Sequence, residues 1–379
     1  MNPMRSLSLN GADALMMIGD SERNCDLFWA TGFRAPDPFV YVMAKDGAFV
    51  AVKDLELDRA RQQVRNADVV AISTYEKRVG DSPPAGAVLA ELLRHHGLQR
   101  LLVPDDFPLG TADRLRQAGF ELQLAPAPLF PQRAVKREDE IEAIASAQQA
   151  AEAGMRAAFD AIGNASIEGA ELRLDGAPLT SEAVRQRIHR ALLEHDCIAR
   201  HTIVAGGEQA IDPHQDGHGP LPAHQPIIID IFPQHSSTGY FGDLTRTVVR
   251  GTITDAVQRL YDTVAAAQAL VLQGLGPGAD GHTLHTRVVD HFENAGYETG
   301  QSDGRMQGYF HSTGHGVGLE IHEAPSLSRR NCVLEPGHVL TVEPGLYYLG
   351  IGGVRIEDLV VVDAEGCRNL TTLPKVLAL

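Results

Sequence analysis

The stretch IIIDIFPQHSSTGYFGDLTRT, residues 227–247, ends an apolar run in one acid, Asp230, and carries a second, Asp243, beyond a turn-rich segment. Its counterpart is VLTVEPGLYYLGIGGVRIED, residues 339–358, in which the apolar run ends in Glu343 and a Gly-rich turn leads to Glu357. The acids of the two pairs stand 13 and 14 residues apart. A hairpin of that length can bring the ends of its strands side by side, so each stretch offers a carboxylate pair. If the stretches face one another, four carboxylates converge.

What precedes each stretch has the same order. Glu138 to Ile162 is Ala-rich and opened by acids, as a helix N-terminus prefers. A second helix is predicted after Thr180-Ser181-Glu182, capped by a hydroxyl and running to about His195, with strand-like runs over about 201–250. A helix from about Asp255 to Leu275, a break at Gly276-Pro277-Gly278, a helix from about Thr283 to Asn294 and strands from about 309 onward repeat the pattern. Two halves built helix, helix, strands predict an internally duplicated α+β domain.

Upstream, Phe39 to Met43 and Ala48 to Val52 flank Lys45-Asp46-Gly47, a hairpin turn sequence. Asp68 to Ser73 and Leu101 to Val103 read as buried strands, with helical segments near 55–66 and 85–96 between them, an α/β pattern with parallel crossovers. The run Ala125-Pro-Ala-Pro-Leu-Phe-Pro131 continues neither a helix nor a central strand. The expected domains are therefore an α/β domain over residues 1–130 and the duplicated domain over 131–379.

Composition narrows the function. The chain has 379 residues, of which 44% are hydrophobic, enough for two or three cored domains and too apolar for disorder. With 33 Lys+Arg against 49 Asp+Glu the net charge is −16, which excludes general electrostatic binding to nucleic acid. The strongest apolar stretches, Ala14 to Ile18 and Ile227 to Phe232, fall far short of the roughly 20 residues of a membrane span. Met1 to Asn10 does not read as a secretory signal. Cys25, Cys197, Cys332 and Cys367 are scattered, which favours reduced thiols and a cytoplasmic location.

Four buried carboxylates cannot all stay ionised without counter-charge. Two divalent cations would balance them, and one added imidazole gives an oxygen-rich set suited to Mn²⁺, Co²⁺ or Fe²⁺ and able to hold Zn²⁺. Imidazole candidates lie between His311 and Pro325, where glycines on both sides of His315 let backbone approach closely. Arg355, two residues before Glu357, is expected on that acid's face, holding Asp243 or Glu357 through a charge-assisted hydrogen bond. His95, His96 and His189 fall at helix positions and are expected to be solvated.

The segments Asp243-Leu-Thr-Arg-Thr, His315-Gly-Val-Gly-Leu-Glu-Ile-His322-Glu, Glu335-Pro-Gly-His-Val-Leu-Thr-Val-Glu343-Pro-Gly and Arg355-Ile-Glu357-Asp358 resemble the methionine aminopeptidase/prolidase/creatinase family of pita-bread hydrolases. The N-terminal part, including Leu27-Phe-Trp-Ala-Thr-Gly-Phe33, looks like the creatinase-type accessory domain of its Xaa-Pro peptidases. The resemblance implies metal ligands Asp230, Asp243, His315, Glu343 and Glu357, with Mn²⁺ the first choice of metal. The segment between the two aspartates is two residues longer than in the family pattern, an even change that keeps Asp243 on its face. By the same resemblance His322 contacts substrate, and His214 (with His218 the competing position) helps bind the scissile peptide. Glu343 and Arg355 serve catalysis, and His311 stands either behind the site or as a satisfied buried histidine. Arg329 falls where prolidases bind a dipeptide's carboxylate, although a solvated Arg329-Arg330 pair fits equally. The implied function is a two-metal Xaa-Pro dipeptidase working on proline-containing peptides as a homodimer, the N-terminal domain helping to wall the partner's cleft. The alternatives are an Xaa-Pro aminopeptidase, a creatinase-like hydrolase without metal, and a silent binding module, the last two disfavoured by retention of all five ligands.

Overall fold

Ala14, Leu15, Met16 and Met17 are all fully buried, as a strand covered on both faces requires. Leu15 and Met17 enter one apolar cluster, while Ala14 and Met16 enter another. In the computed structural model, which describes residues 9–84 and 86–379, this strand, β1 (Ala14–Gly19), lies inside a six-stranded sheet. The others are β2 (Phe39–Ala44), β3 (Gly47–Val52), β4 (Asp68–Ala71), β5 (Arg100–Val103) and β6 (Glu121–Leu124), in the order β4-β3-β2-β1-β5-β6. Pairing is parallel at β3/β4, β1/β5 and β5/β6. It is antiparallel along β1-β2-β3; between β2 and β3 the two-residue Lys45-Asp46 connection is too short for a crossover, whereas β1 reaches β2 through α1 and a loop. The helices are α1 (Cys25–Thr31), α2 (Leu57–Gln63), α3 (Ser73–Val79), α4 (Ala87–His95) and α5 (Leu109–Gln117). Of these only α2 and α4 were expected.

The chain divides into two compact units, Met1–Arg133 and Ala134–Leu379. In the second, α6 (Glu138–Gly163) and α7 (Ser181–Leu193) precede a three-stranded antiparallel sheet of Ile203–Gly206, Ile227–Ile231 and Leu244–Val248. Then α8 (Asp255–Gly274) and α9 (Gly281–Asn294) precede a five-stranded sheet in which Val339–Val342 lies between Gly314–Gly316 and Asp358–Val362. Helix starts follow the sequence. Thr180, Thr254 and Asp280 accept the backbone N–H three residues on, and Glu140 accepts that of Arg137. Each half has its own apolar cluster: α6, α7 and the first sheet share one, and α8, α9 and the second sheet share the other. No described helix is long and apolar enough to cross a membrane.

Candidate metal centre

Register places the acids. Asp230 stands opposite Thr245, and Ile231 opposite Leu244, so Asp243 is the residue just before the paired strand begins. In the second half Val342 pairs with Asp358, which puts Glu343 and Glu357 just beyond the last pair. An antiparallel bridge between Gln234 and Phe241 closes the first hairpin.

His315 reaches these acids because its neighbours have no side chains. A Cβ at Gly314 would collide with the Thr341 carbonyl, and one at Gly316 with that of Ala324. The His315 backbone N–H donates to Thr341 Oγ1 at 3.1 Å, and ring Nδ1 faces the Gly316 carbonyl at 3.2 Å. Nδ1 therefore carries the proton, and the Nε2 lone pair faces Asp243 Oδ2 at 3.6 Å and Glu343 Oε1 at 3.4 Å. One ligand atom each from Asp243, His315 and Glu357 lie within 4.8 Å of one another. Two threonines orient the acids: Thr245 Oγ1 donates to Glu357 Oε2 at 2.8 Å, and Thr341 Oγ1 to Glu343 Oε1 at 3.5 Å.

Arg355 takes a different partner from the one expected. Its Nη2 meets Asp230 Oδ2 at 2.7 Å, rather than Asp243 or Glu357. The strand Gly352–Arg355 ends at Arg355, and Glu357 lies beyond it with its N–H donated to the Thr245 carbonyl. Arg355 is fastened to Thr247, whose hydroxyl accepts its N–H at 3.0 Å and donates to its carbonyl at 2.9 Å. Two residues along from Thr247 is Thr245, which faces Asp230, so the guanidinium reaches that acid. Nη1 donates to the Tyr347 hydroxyl at 2.9 Å, which also contacts His311 Nε2 at 3.0 Å.

Burial pushes the carboxyls of Asp243 and Glu357 well above the carboxylate range, and their acidic neighbours push them further. Burial also raises Glu343 to about 8. The His315 imidazole is pulled down to about 3 by burial and by His322, and His311 to about 3 by burial and Arg355. Asp230 Oδ1 is buried with no hydrogen-bond partner among the described residues. Four acids thus share a single arginine and a neutral imidazole, a donor set that fits divalent cations.

These groups line a cavity of about 840 Å³ in which Arg355 is the sole lysine or arginine among the described lining residues. His322 is there, its ring edge-to-face with His315 at 4.3 Å, as are His311 and His201. His214 lines the cavity from an exposed loop. His218 does not, its backbone being held by the Gln209 side chain at 2.8 and 3.0 Å. Arg329 is exposed and outside the lining. His95 and His96 are exposed, with His96 stacked on Phe49 at 4.2 Å. His189 is half-buried rather than solvated, 3.2 Å from the Thr202 hydroxyl. Thr245, Thr341 and Tyr347 were not anticipated. Thr341 lies two residues before the acid it orients, Glu343, whereas Thr245 orients Glu357, 112 residues away, a partner that spacing along one strand does not indicate.

Residues 142–364 match the model of metallopeptidase family M24. The chain belongs to this family. Residues 6–135 match the creatinase/prolidase N-terminal domain, so this M24 metallopeptidase has an α/β accessory domain followed by a pita-bread domain. The uncharacterized peptidase YqhT of Bacillus subtilis (strain 168) is 45% identical over 141 residues. That match spans 37% of this chain and 37% of the relative's length. An Xaa-Pro dipeptidase from Bacillus anthracis superposes with a TM-score of 0.83 at 26% identity, covering 100% of this chain and 98% of that one. An X-Pro aminopeptidase from Thermotoga maritima MSB8 gives 0.80 at 25% identity, covering 97% and 98%. The M24 fold alone therefore does not separate dipeptidase from aminopeptidase.

Proposed function

We propose that this M24 enzyme is a two-metal exopeptidase that cleaves Xaa-Pro bonds, and that dipeptides are its substrates. The observation that carries the reading is the convergence of Asp230, Asp243, His315, Glu343 and Glu357 on one cavity with an uncompensated acid surplus. The dipeptidase relative supports the substrate class. These five side chains would hold two divalent ions, Mn²⁺ first, with Co²⁺, Fe²⁺ or Zn²⁺ accepted by the same donors. Bound there, the ions would supply Lewis acidity and a nucleophile at neutral pH.

The chain's own groups do the rest. Arg355 and Thr245 fix the rotamers of Asp230 and Glu357. His214 and His322 stand at the wall, where they can donate to the scissile carbonyl as it gains negative charge. Glu343 takes a proton at its carboxylate and returns it to the departing proline nitrogen.

A second reading, an aminopeptidase acting on longer peptides, is favoured by one observation. The cavity's single arginine is committed to Asp230, and Arg329 lies outside the lining, which leaves no lining lysine or arginine among the described residues for a dipeptide's carboxylate. Turnover of an Xaa-Pro dipeptide against an Xaa-Pro-containing tripeptide decides between them: strong tripeptide hydrolysis overturns the dipeptidase reading. Activity that survives thorough chelation would instead favour a creatinase-like hydrolase. We also propose that the enzyme is cytoplasmic, which cell fractionation tests, and a homodimer, which sedimentation of the purified chain tests.

A further inference from the structure

We propose that two buried glutamines, Gln148 on α6 and Gln268 on α8, are positioning residues that hold the carboxylate pairs in place for metal, one glutamine in each half of the duplicated domain. The inference rests on the metal-site reading above and assigns roles to residues outside the cavity.

Both side chains are fully buried, which is rare for glutamine and calls for hydrogen-bond partners. Gln148 Oε1 accepts the backbone N–H of Asp243 at 2.7 Å, and its Nε2 donates to the Asp243 carbonyl at 2.9 Å. One amide thus grips both backbone groups of a ligand residue that lies just outside the strand ladder. The chain can come this near only because residue 242 is glycine, since a Cβ there would collide with the α6 backbone at Ala147 and Gln148. Nε2 also donates to Thr371 Oγ1 at 2.9 Å.

Gln268 acts on the other pair. Its Nε2 donates to the carbonyls of Val342 at 2.9 Å and Ile356 at 3.3 Å, the residues immediately before Glu343 and Glu357. Two carbonyl acceptors leave no choice of amide orientation. Its Oε1 has no partner among the described residues, so the two carbonyl contacts of Nε2 are what hold this amide. Each glutamine follows an alanine on the first helix of its half, and each reaches backbone that carries acids rather than the acids themselves.

The test has an internal control. Glu152, one turn along α6 from Gln148, accepts the backbone N–H of Thr372 and, at 3.0 Å, that of Leu373, and the Thr372 hydroxyl. It fastens the same C-terminal segment without touching a proposed ligand. Mn²⁺ stoichiometry and affinity of the full chain would be measured by titration calorimetry for wild type, Gln148→Met, Gln268→Met and Glu152→Gln, alongside thermal unfolding of the metal-free proteins. The expected result is two ions in wild type and a loss of about 10–100-fold in affinity in each glutamine variant. Glu152→Gln should lower the metal-free Tm and leave Mn²⁺ affinity within about twofold of wild type, because it alters nothing next to the ligands. Folded glutamine variants that bind Mn²⁺ as tightly as wild type overturn the inference and leave the metal site standing; a wild-type chain that binds no divalent ion overturns both. Should the glutamine variants fail to fold, Thr371→Val removes the hydroxyl that accepts from Gln148 Nε2 and from the Leu359 backbone N–H, each at 2.9 Å, and is expected to weaken Mn²⁺ by about threefold or more, with unchanged affinity again overturning the inference.

Discussion

Stripping the metals should make the protein less stable as the pH rises from 6.5 to 8, and restoring them should abolish that slope. Burial raises Glu343 from an ordinary 4.5 to about 8 in the folded chain. A group with a raised folded pKa binds more protons folded than unfolded, so its stabilisation is complete below the unfolded value and is lost as pH climbs through the folded one. His311 and His315, depressed to about 3, have the opposite sign: unfolded they are still half protonated at pH 6.5, so each restores about 0.4 kcal/mol by pH 8, and His285, His322 and His338, also pulled down by burial, act in the same direction. The window from about 6.5 to 8 therefore reads the three raised carboxyls net of that opposing histidine contribution. Across its 1.5 units Glu343 alone gives up about 2 kcal/mol at 1.36 kcal/mol per unit. At about 2–4 °C per kcal/mol for a domain of this size, the metal-free Tm should drop about 4–8 °C. Asp243 and Glu357, also pushed up, add to the fall. Mn²⁺ at a hundred times its Kd stabilises each site by about 2.7 kcal/mol and favours the deprotonated ligands, so the loaded Tm should be flat or rising. Scanning calorimetry of chelator-treated and Mn²⁺-loaded protein at both pH values reads this directly. A metal-free Tm that holds constant or rises over that range refutes the claim of four crowded, uncompensated acids.

Asp243→Ala should lose both ions by elemental analysis, and Xaa-Pro hydrolysis with them; full activity would remove the dinuclear scheme. Arg355→Met leaves Asp230 without its buried partner and should cost about 3–5 kcal/mol in chemical denaturation, with Arg355→Lys recovering only part because the fork to Tyr347 and Asp230 is lost. His214→Ala should reduce kcat by about 10²-fold or more, while His218→Ala, outside the lining, should stay within about twofold in steady-state kinetics.

The halves of the metallopeptidase domain were legible because their helices are long. α6, α7, α8 and α9 run 26, 13, 20 and 14 residues, enough turns for caps and apolar stripes to show. The helices passed over, α1 and α3 at seven residues and α5 at nine, are no shorter than α2 and α4, which were expected, so length alone does not separate them. The meander β1-β2-β3 was half visible. Its second hairpin is local and announced by Asp46-Gly47, whereas the β1-β2 pairing spans a helix and a loop that carry no register signal.

At the site, whatever was written into a single strand could be read, and whatever depends on two segments meeting could not. Asp243, Glu343 and Glu357 lie at strand ends, and the glycines around His315 mark a close approach in one dimension. The partner of Arg355 was misassigned because alternation fixes a face only while the strand continues. Here it stops at Arg355, and the guanidinium is aimed by hydrogen bonds to Thr247, 108 residues earlier. The glutamines belong to the same class. On an Ala-rich helix Gln148 and Gln268 look like ordinary helix formers, and only the contact with backbone 95 and 74 residues away distinguishes them from surface residues. The chemistry of this centre is thus carried by side chains at predictable positions, while its precision is carried by residues whose partners are distant in sequence. The glutamine and arginine variants, rather than the ligand variants, therefore probe the part of the site that the structure adds.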